Sequence, residues 1–273
     1  MKKFDMNRFW QVLKWTVISE KKSIFTSAVA FTVAFLAIQL FSCFTVFDLS
    51  HGLGIGATYA GMATCGAITS LMTFYYASGI LGNARTTKER TIALMLPASN
   101  TEKFIARIIY CCIFMPLLLL VSCFAATGLR MLLELIAGHD NIVSGFLFIM
   151  SNHVVINGES VDLFSTFSDI ATHCWSVSLF VLGGVFFRQR PFVWSIVTIV
   201  LVSIVLATLC LYVGMMIGEH NIKEFFMNFK GMTLGTFDFI VSLVFSAFTV
   251  FNVWLSYRLF CRLQLVQHKW FNL

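Results

Sequence analysis

The stretch NARTTKERTIALMLPASNTEKFIAR, residues 83–107, is the longest strongly charged segment between two membrane-length apolar runs of the chain. The run before it covers residues 57–82, and the run after it covers residues 108–129. Each run is long enough to cross a bilayer as a helix, which takes about 20 predominantly apolar residues. The stretch therefore predicts a charged loop that joins two membrane-spanning helices.

A proline and a capping pattern divide this loop into two parts. Pro97 cannot continue a helix, because it lacks an amide proton and its ring clashes with the preceding turn. Two residues later, Ser99-x-x-Glu102 has the spacing of a capping box, in which each side chain accepts a hydrogen bond from the other residue's amide. We therefore expect a helix that begins at Asn100 and runs into the next span, and a separate short element over residues 83–96.

The composition is that of a polytopic membrane protein. Apolar residues make up 58% of the chain and charged residues 12%, and the mean hydropathy is +0.84. Soluble domains carry about 25% charged residues. The first apolar run begins only at Ser23, behind a basic segment, and it is longer than the apolar core of a cleaved signal peptide, about 7–15 residues. We interpret it as the first membrane span.

Hydrophobicity and helical spacing predict an all-α polytopic membrane protein with six transmembrane helices. In residues 1–22, Phe9, Leu13 and Val17 recur at helical spacing among basic residues, which predicts an amphipathic helix in the membrane interface. The transmembrane domain follows over residues 23–258, and residues 259–273 form a tail. The predicted spans are residues 23–47, 57–82, 108–129, 168–187, 192–217 and 234–255.

The distribution of basic residues predicts the orientation in the membrane. Of the 19 lysines and arginines, 16 lie in the N-terminal segment, the 83–107 loop, the connection at Arg188 and Arg190, and the C-terminal end from Arg258 onward. Basic residues favour cytoplasmic loops. We therefore expect both termini, the N-terminal interfacial helix and the charged loop to face the cytoplasm.

The cysteines and histidines do not have the spacing of a metal or disulfide site. Seven of the eight cysteines lie in apolar runs and no CxxC is present, so we interpret them as small packing residues. Asp169 and His173 are one helical turn apart on the predicted outer side, but no HxxxH or HExxH spacing accompanies them. We expect no metal site.

The charged loop resembles that of a known transporter family. The residues that carry the resemblance are Glu89-Arg90, Leu96-Pro97, Ser99, Glu102-Lys103 and Arg107, with a membrane span directly after them. Together with the N-terminal interfacial helix, six spans and a short aromatic outer segment before the last span, this pattern resembles the permease subunit of ABC-2 type transporters, especially those of Bacteroidetes-type bacteria.

The resemblance implies a role for each cytoplasmic part. The short helix over residues 85–96 would be a coupling helix that docks in a groove of a separate ATPase subunit. Arg188 and Arg190 would form a second, smaller contact with that subunit, although their connection is very short. The implied residues of the ATPase-coupling loop are Arg85, Lys88, Glu89, Arg90, Leu94, Leu96, Pro97, Ser99, Glu102 and Lys103.

The resemblance also implies partners and a membrane. The chain has no GxxxxGK[ST] phosphate-binding loop, so ATP hydrolysis would take place in a cytoplasmic ABC ATPase, and we expect no catalytic residues and no cofactor here. The other implied partners are a second copy of the permease or a homologous permease, and the lipids of the bacterial inner membrane. No basic patch on a soluble face indicates nucleic-acid binding.

Other functions stay open at this point. A secondary carrier needs ionisable residues within its spans, and the sequence offers mainly Asp238, near the start of the sixth. A membrane scaffold or sensor would need no ATPase. For the loop itself, the alternative is an ordinary cytoplasmic loop that carries positive charge.

Overall fold

The computed structural model describes residues 5–47, 54–81, 98–136, 163–217 and 234–262. These residues are 93% helical and include no strand, as the sequence predicts. The helices are α1 (Met6–Ser19), α2 (Lys21–Phe47), α3 (Gly54–Ser78), α4 (Asn100–Ile108), a π-helical segment (Ile109–Phe114), α5 (Met115–Ile136), α6 (Leu163–Phe186), α7 (Pro191–Ile217) and α8 (Leu234–Cys261).

Several of these helices are suited to cross a membrane. Among the described residues, five stretches are long and apolar enough: Lys21–Ser42, Asn100–Leu133, Phe167–Phe186, Pro191–Leu209 and Phe239–Cys261. Helix α3 has 25 residues but is not among the five, because glycine, serine, threonine and tyrosine make up a large share of it. The chain is therefore a helical membrane protein, while the count of six spans and the side of each terminus stay predictions.

The chain divides into two compact units. The first contains α1, α2, α3 up to Tyr76 and the helices from α4 to α5. The second contains the last turn of α3 together with α6, α7 and α8.

The core of the first unit lies where α2, α3 and α5 meet. Phe35, Cys65 and Ala126, one from each helix, form a buried apolar cluster. Gly61 lets α2 and α3 approach closely, because a Cβ atom there would collide with the Ser42 side chain. Small residues at helix contacts serve this purpose in membrane proteins.

The helix that follows the charged loop continues from Asn100 to Ile136, with one irregular segment. Over Ile109–Phe114 its hydrogen bonds are π-helical, and the Met115 amide donates to the Tyr110 carbonyl five residues back. Pro116 comes next and has no amide hydrogen to bond the preceding turn. The helix is therefore distorted next to Pro116, in the form of a π-helical segment before the proline.

In the second unit, α6 packs along α8 and against the last turn of α3. The rings of Trp175 and Phe245 stack with centroids 4.8 Å apart, and Asn252 Nδ2 donates to Ser178 Oγ at 3.0 Å. A Cβ atom on Gly184 would collide with the backbone carbonyl of Ser78. The absence of a side chain at this position therefore allows the two helices to touch.

Candidate functional site

Ser99 and Glu102 form the capping box that their spacing predicts. The Glu102 amide donates to Ser99 Oγ at 3.2 Å, and the Ser99 amide donates to Glu102 Oε2 at 2.9 Å. These two bonds satisfy amides that have no partner within the first turn of a helix. They fix the start of α4 at Asn100.

Glu102 also binds the N-terminal helix. Its other carboxylate oxygen, Oε1, accepts a hydrogen bond from the Asp5 amide at 2.9 Å and lies 3.6 Å from Arg8 Nη2. The Glu102 side chain is 0% exposed. A buried carboxylate is stable only where hydrogen bonds and opposite charge compensate for lost water, and Glu102 has both.

Asp5 and Arg8 complete this group of residues. Asp5 caps α1 by accepting from the Asn7 amide at 3.0 Å, and its Oδ2 lies 3.5 Å from Arg8 Nε. We call Asp5, Arg8, Ser99 and Glu102 the capping cluster. It joins the N-terminal ends of α1 and α4, which are 97 residues apart in sequence at the Asp5–Glu102 bond.

A second polar group holds the other end of α1. Glu20, which follows the last residue of α1, accepts from the Tyr110 hydroxyl at 2.6 Å and from Arg107 Nη1 at 3.3 Å. The Tyr110 ring stacks on Phe114 within the π-helical segment. We call Glu20, Arg107 and Tyr110 the Glu20 cluster.

Apolar contacts fill the space between the two clusters. Phe9 and Val12 of α1 and Ala106 of α4 form a buried core, and Ala106 is 0% exposed. Helix α1 is thus attached along the start of the predicted third span, at both of its ends and in its middle.

Of the remaining predicted coupling residues, only Lys103 is among the residues that the structure describes. Lys103 lies in α4 and is partly buried. The residues Arg85, Lys88, Glu89, Arg90, Leu94, Leu96 and Pro97 lie outside the described residues. Their roles stay predictions.

Arg188 and Arg190 lie in the short connection between α6 and α7. Arg190 is exposed and has a positive φ of 47°. Its carbonyl accepts from the Trp194 amide at 3.2 Å, and Pro191 is the first residue of α7. Proline favours this first position because its missing amide hydrogen would have no partner there. The connection is a tight turn with two cationic side chains.

Sequence patterns did not predict Asp5, Glu20 and Tyr110 as partners in this site. One pattern could have indicated two of them. Asp5 and Glu20 are the only carboxylates among the first 47 residues, and they stand at the two ends of the basic amphipathic segment. Acidic residues at the ends of a basic amphipathic helix are candidates for helix capping and for ion pairs.

The described residues contain no group of three or more His, Cys, Asp and Glu side chains arranged to hold a metal. Asp169 and His173 are both exposed on α6. No family model matches the chain, and no curated protein and no solved structure matches it.

Proposed function

We propose that this chain is the membrane-spanning permease subunit of an ABC-2 type transporter, working as an exporter. It would form the translocation path with a second copy or a homologous permease, and a separate cytoplasmic ATPase would supply the energy. The observation that supports this proposal best is the attachment of α1 along α4, directly after the charged loop.

This attachment gives the loop a mechanical connection to the membrane domain. A force on residues 85–96 would enter α4 at Ser99, where the capping cluster holds the helix start and α1 together. Because the helix continues to Ile136, the same force would reach the core that α5 shares with α2 and α3. ATP-driven closure of the partner would move these elements as one body.

The placement of charge also supports an ATP-driven transporter over a secondary carrier. The ion pairs of Arg8 with Asp5 and Glu102, and of Arg107 with Glu20, lie at the predicted cytoplasmic end of the first unit. A carrier that couples to ions would place carboxylates deep within its spans. Gln39 and Thr127, which are buried near the middle of this unit, are neutral, and the buried Arg130 lies one turn beyond Thr127 towards the predicted outer end of α5 and is not a carboxylate.

The test is to purify the tagged protein in mild detergent and to identify what co-purifies. We expect a stoichiometric soluble ATPase with the wild type and its loss from the Glu89→Ala/Arg90→Ala variant. The matched control is Glu219→Ala/Lys223→Ala, which removes the same pair of charges from a predicted outer loop.

Two results would contradict parts of the proposal. An intact wild-type complex without any ATPase would exclude the permease function and favour a carrier or a scaffold. An ATPase that stays bound to the Glu89→Ala/Arg90→Ala variant would show that the coupling contact lies elsewhere.

A further inference from the structure

Helix α1 has an exposed ridge beside the face that packs on α4. Residues four apart in a helix lie one above the other, and four residues of α1 with this spacing are all exposed: Met6, Trp10, Lys14 and Ile18. Met6 and Trp10 are 56% and 58% exposed. We call these four residues the α1 ridge. It combines three apolar side chains, one of them a tryptophan, with a single cation.

The first turns of α2 carry a similar ridge. Lys21, Phe25, Val29 and Val33 have the same spacing of four, and all four are exposed. Few residues of the apolar stretch Lys21–Ser42 are buried within the protein, so this ridge is suited to face lipid. A lysine at the end of such a ridge extends its ammonium group to the lipid headgroups. Lys21 therefore marks the level of the headgroup layer.

The carboxylates near these helices are already paired with arginines. Asp5 and Glu20 are the only carboxylates among the first 47 residues. Asp5 Oδ2 lies 3.5 Å from Arg8 Nε, and Glu20 accepts from Arg107 Nη1 at 3.3 Å and from the Tyr110 hydroxyl at 2.6 Å. The positive charge of the lysines on α1 and α2 is therefore not balanced by these two carboxylates.

This positive surface includes Lys22 as well as Lys14 and Lys21. All three lysines are exposed, and they lie within nine residues of one another, around the junction of α1 and α2. Each lysine near an anionic membrane surface favours binding by about 5-fold. An anionic headgroup thus supplies the charge that the chain itself does not supply here.

The apolar residues of the two ridges favour lipid over a soluble protein. Tryptophan is enriched at the level of the headgroups, and a helix that exposes both apolar and basic side chains lies in that layer. The ridge on α2 continues from Lys21 into a stretch that is apolar enough to cross a membrane. A soluble partner would not reach that part of the surface.

We propose that Lys14, Lys21 and Lys22, with Trp10 one turn before Lys14, form a surface that selects anionic phospholipids over zwitterionic ones. The lysines need not meet on one lipid, because neighbouring headgroups of one leaflet can bind them separately. Bound lipid would hold α1 on one side while α4 holds it on another. The proposal rests on α1 and α2 alone and does not depend on the transport function proposed above.

The test measures the lipid preference of the full-length chain. The purified protein in mild detergent is mixed with equal amounts of phosphatidylglycerol and phosphatidylcholine of the same acyl chains, and native mass spectrometry counts the lipids of each kind that stay bound. We expect at least about 10-fold more phosphatidylglycerol than phosphatidylcholine on the wild type, and about 2-fold or less on Lys14→Gln/Lys21→Gln/Lys22→Gln.

Matched variants control for net charge and for folding. Lys223→Gln/Lys230→Gln/Lys269→Gln removes three lysines elsewhere in the chain and should keep the preference for phosphatidylglycerol. Arginine at the three proposed positions keeps the charge and should keep the preference too. If the triple glutamine variant of α1 and α2 does not fold, Lys14→Gln and Lys21→Gln are measured singly, each with an expected loss of about 2–5-fold.

Three results would overturn the proposal. An unchanged preference in the α1 and α2 variant would mean that the anionic lipid binds elsewhere, and an equal loss in both triple glutamine variants would mean that net charge alone attracts it. A soluble protein that is lost from the purified complex of the α1 and α2 variant, while the lipid ratio stays the same, would assign the α1 ridge to that protein. The lipid ratio is measured on the chain without an ATPase, so its failure is distinct from a failure of the permease proposal.

Discussion

At the scale of single residues, Glu102 has a larger structural role than an ordinary capping residue. It accepts from the amides of Ser99 and Asp5 and lies beside the Arg8 guanidinium, although its side chain is 0% exposed. One carboxylate thus stabilises the starts of two helices.

The first prediction concerns this carboxylate. Glu102→Ala leaves the Ser99 and Asp5 amides without an acceptor, and we expect it to lower the free energy of unfolding by about 1.5–3 kcal/mol, the range for hydrogen bonds to charged groups. The measurement is thermal unfolding of the purified protein in detergent. Gln11→Ala, an exposed position on α1, is the control and should melt as the wild type does. Equal melting of Glu102→Ala and the control would contradict the role of Glu102.

The second prediction concerns the Glu20 cluster. Tyr110→Phe removes the hydroxyl that donates to Glu20 at 2.6 Å and keeps the ring that stacks on Phe114. We expect a loss of about 1–2 kcal/mol in the free energy of unfolding. In the Glu20→Gln background the same change should have a smaller effect, because the charged acceptor is gone. Additive effects in this double-mutant cycle would show that the two residues are not coupled.

At the scale of elements, the position of α1 depends on a small residue in its neighbour. Ala106 is 0% exposed and lies against Phe9 and Val12. A larger side chain there has no free space to occupy. A larger side chain at position 106 therefore tests whether α1 is attached to α4 through Phe9 and Val12.

The third prediction therefore uses Ala106→Leu. Overpacking of this kind costs about 1–3 kcal/mol, and we expect α1 to detach from α4. Trypsin should then cleave faster after Lys14 and Lys21 than in the wild type. Ala125→Leu, at an exposed position of α5, is the matched control. Unchanged cleavage of the Ala106→Leu protein would mean that α1 is held by other contacts.

The fourth prediction concerns the contact between the last turn of α3 and α6. A Cβ atom on Gly184 would collide with the Ser78 carbonyl, whereas one on Gly128 would meet nothing within 4 Å. Gly184→Ala should lower the melting temperature and the yield of monodisperse protein, because the backbone must move. Gly128→Ala should be neutral or stabilising by about 0.5–1 kcal/mol, since alanine favours helix. The reverse order would show that the helices do not touch at Gly184.

At the scale of the whole molecule, the charge distribution predicts which side of the membrane each loop faces. Both termini and the charged loop should lie in the cytoplasm, because 16 of the 19 basic residues are in these segments and the residue 188–190 connection.

The fifth prediction tests this orientation. A fluorescent protein fused after Leu273 should be bright, since such reporters fold in the cytoplasm, and alkaline phosphatase fused after Asn152 should be active, since it needs the outer compartment. The reciprocal fusions are the controls. An active phosphatase after Leu273 would reverse the predicted orientation.

Sequence patterns were reliable where the interaction is local. The capping box follows from a spacing of three residues, and a helix is present in each predicted span among the described residues. The attachment of α1 to α4 was not predictable in this way. The Asp5 amide and Glu102 are 97 residues apart, and no periodicity relates them.

The sequence by itself determined that this protein is a helical membrane protein, because long apolar runs must satisfy their own backbone hydrogen bonds in lipid and a helix does so within one segment. Only the tertiary structure decided which polar groups meet. The Glu102 carboxylate accepts a hydrogen bond from the Asp5 amide, and the side-chain amide of Gln39 donates to Cys65 Sγ and Thr127 Oγ1. A polar group buried in a membrane protein needs a partner, but the rotation and packing of the helices select that partner, and these depend on the whole chain.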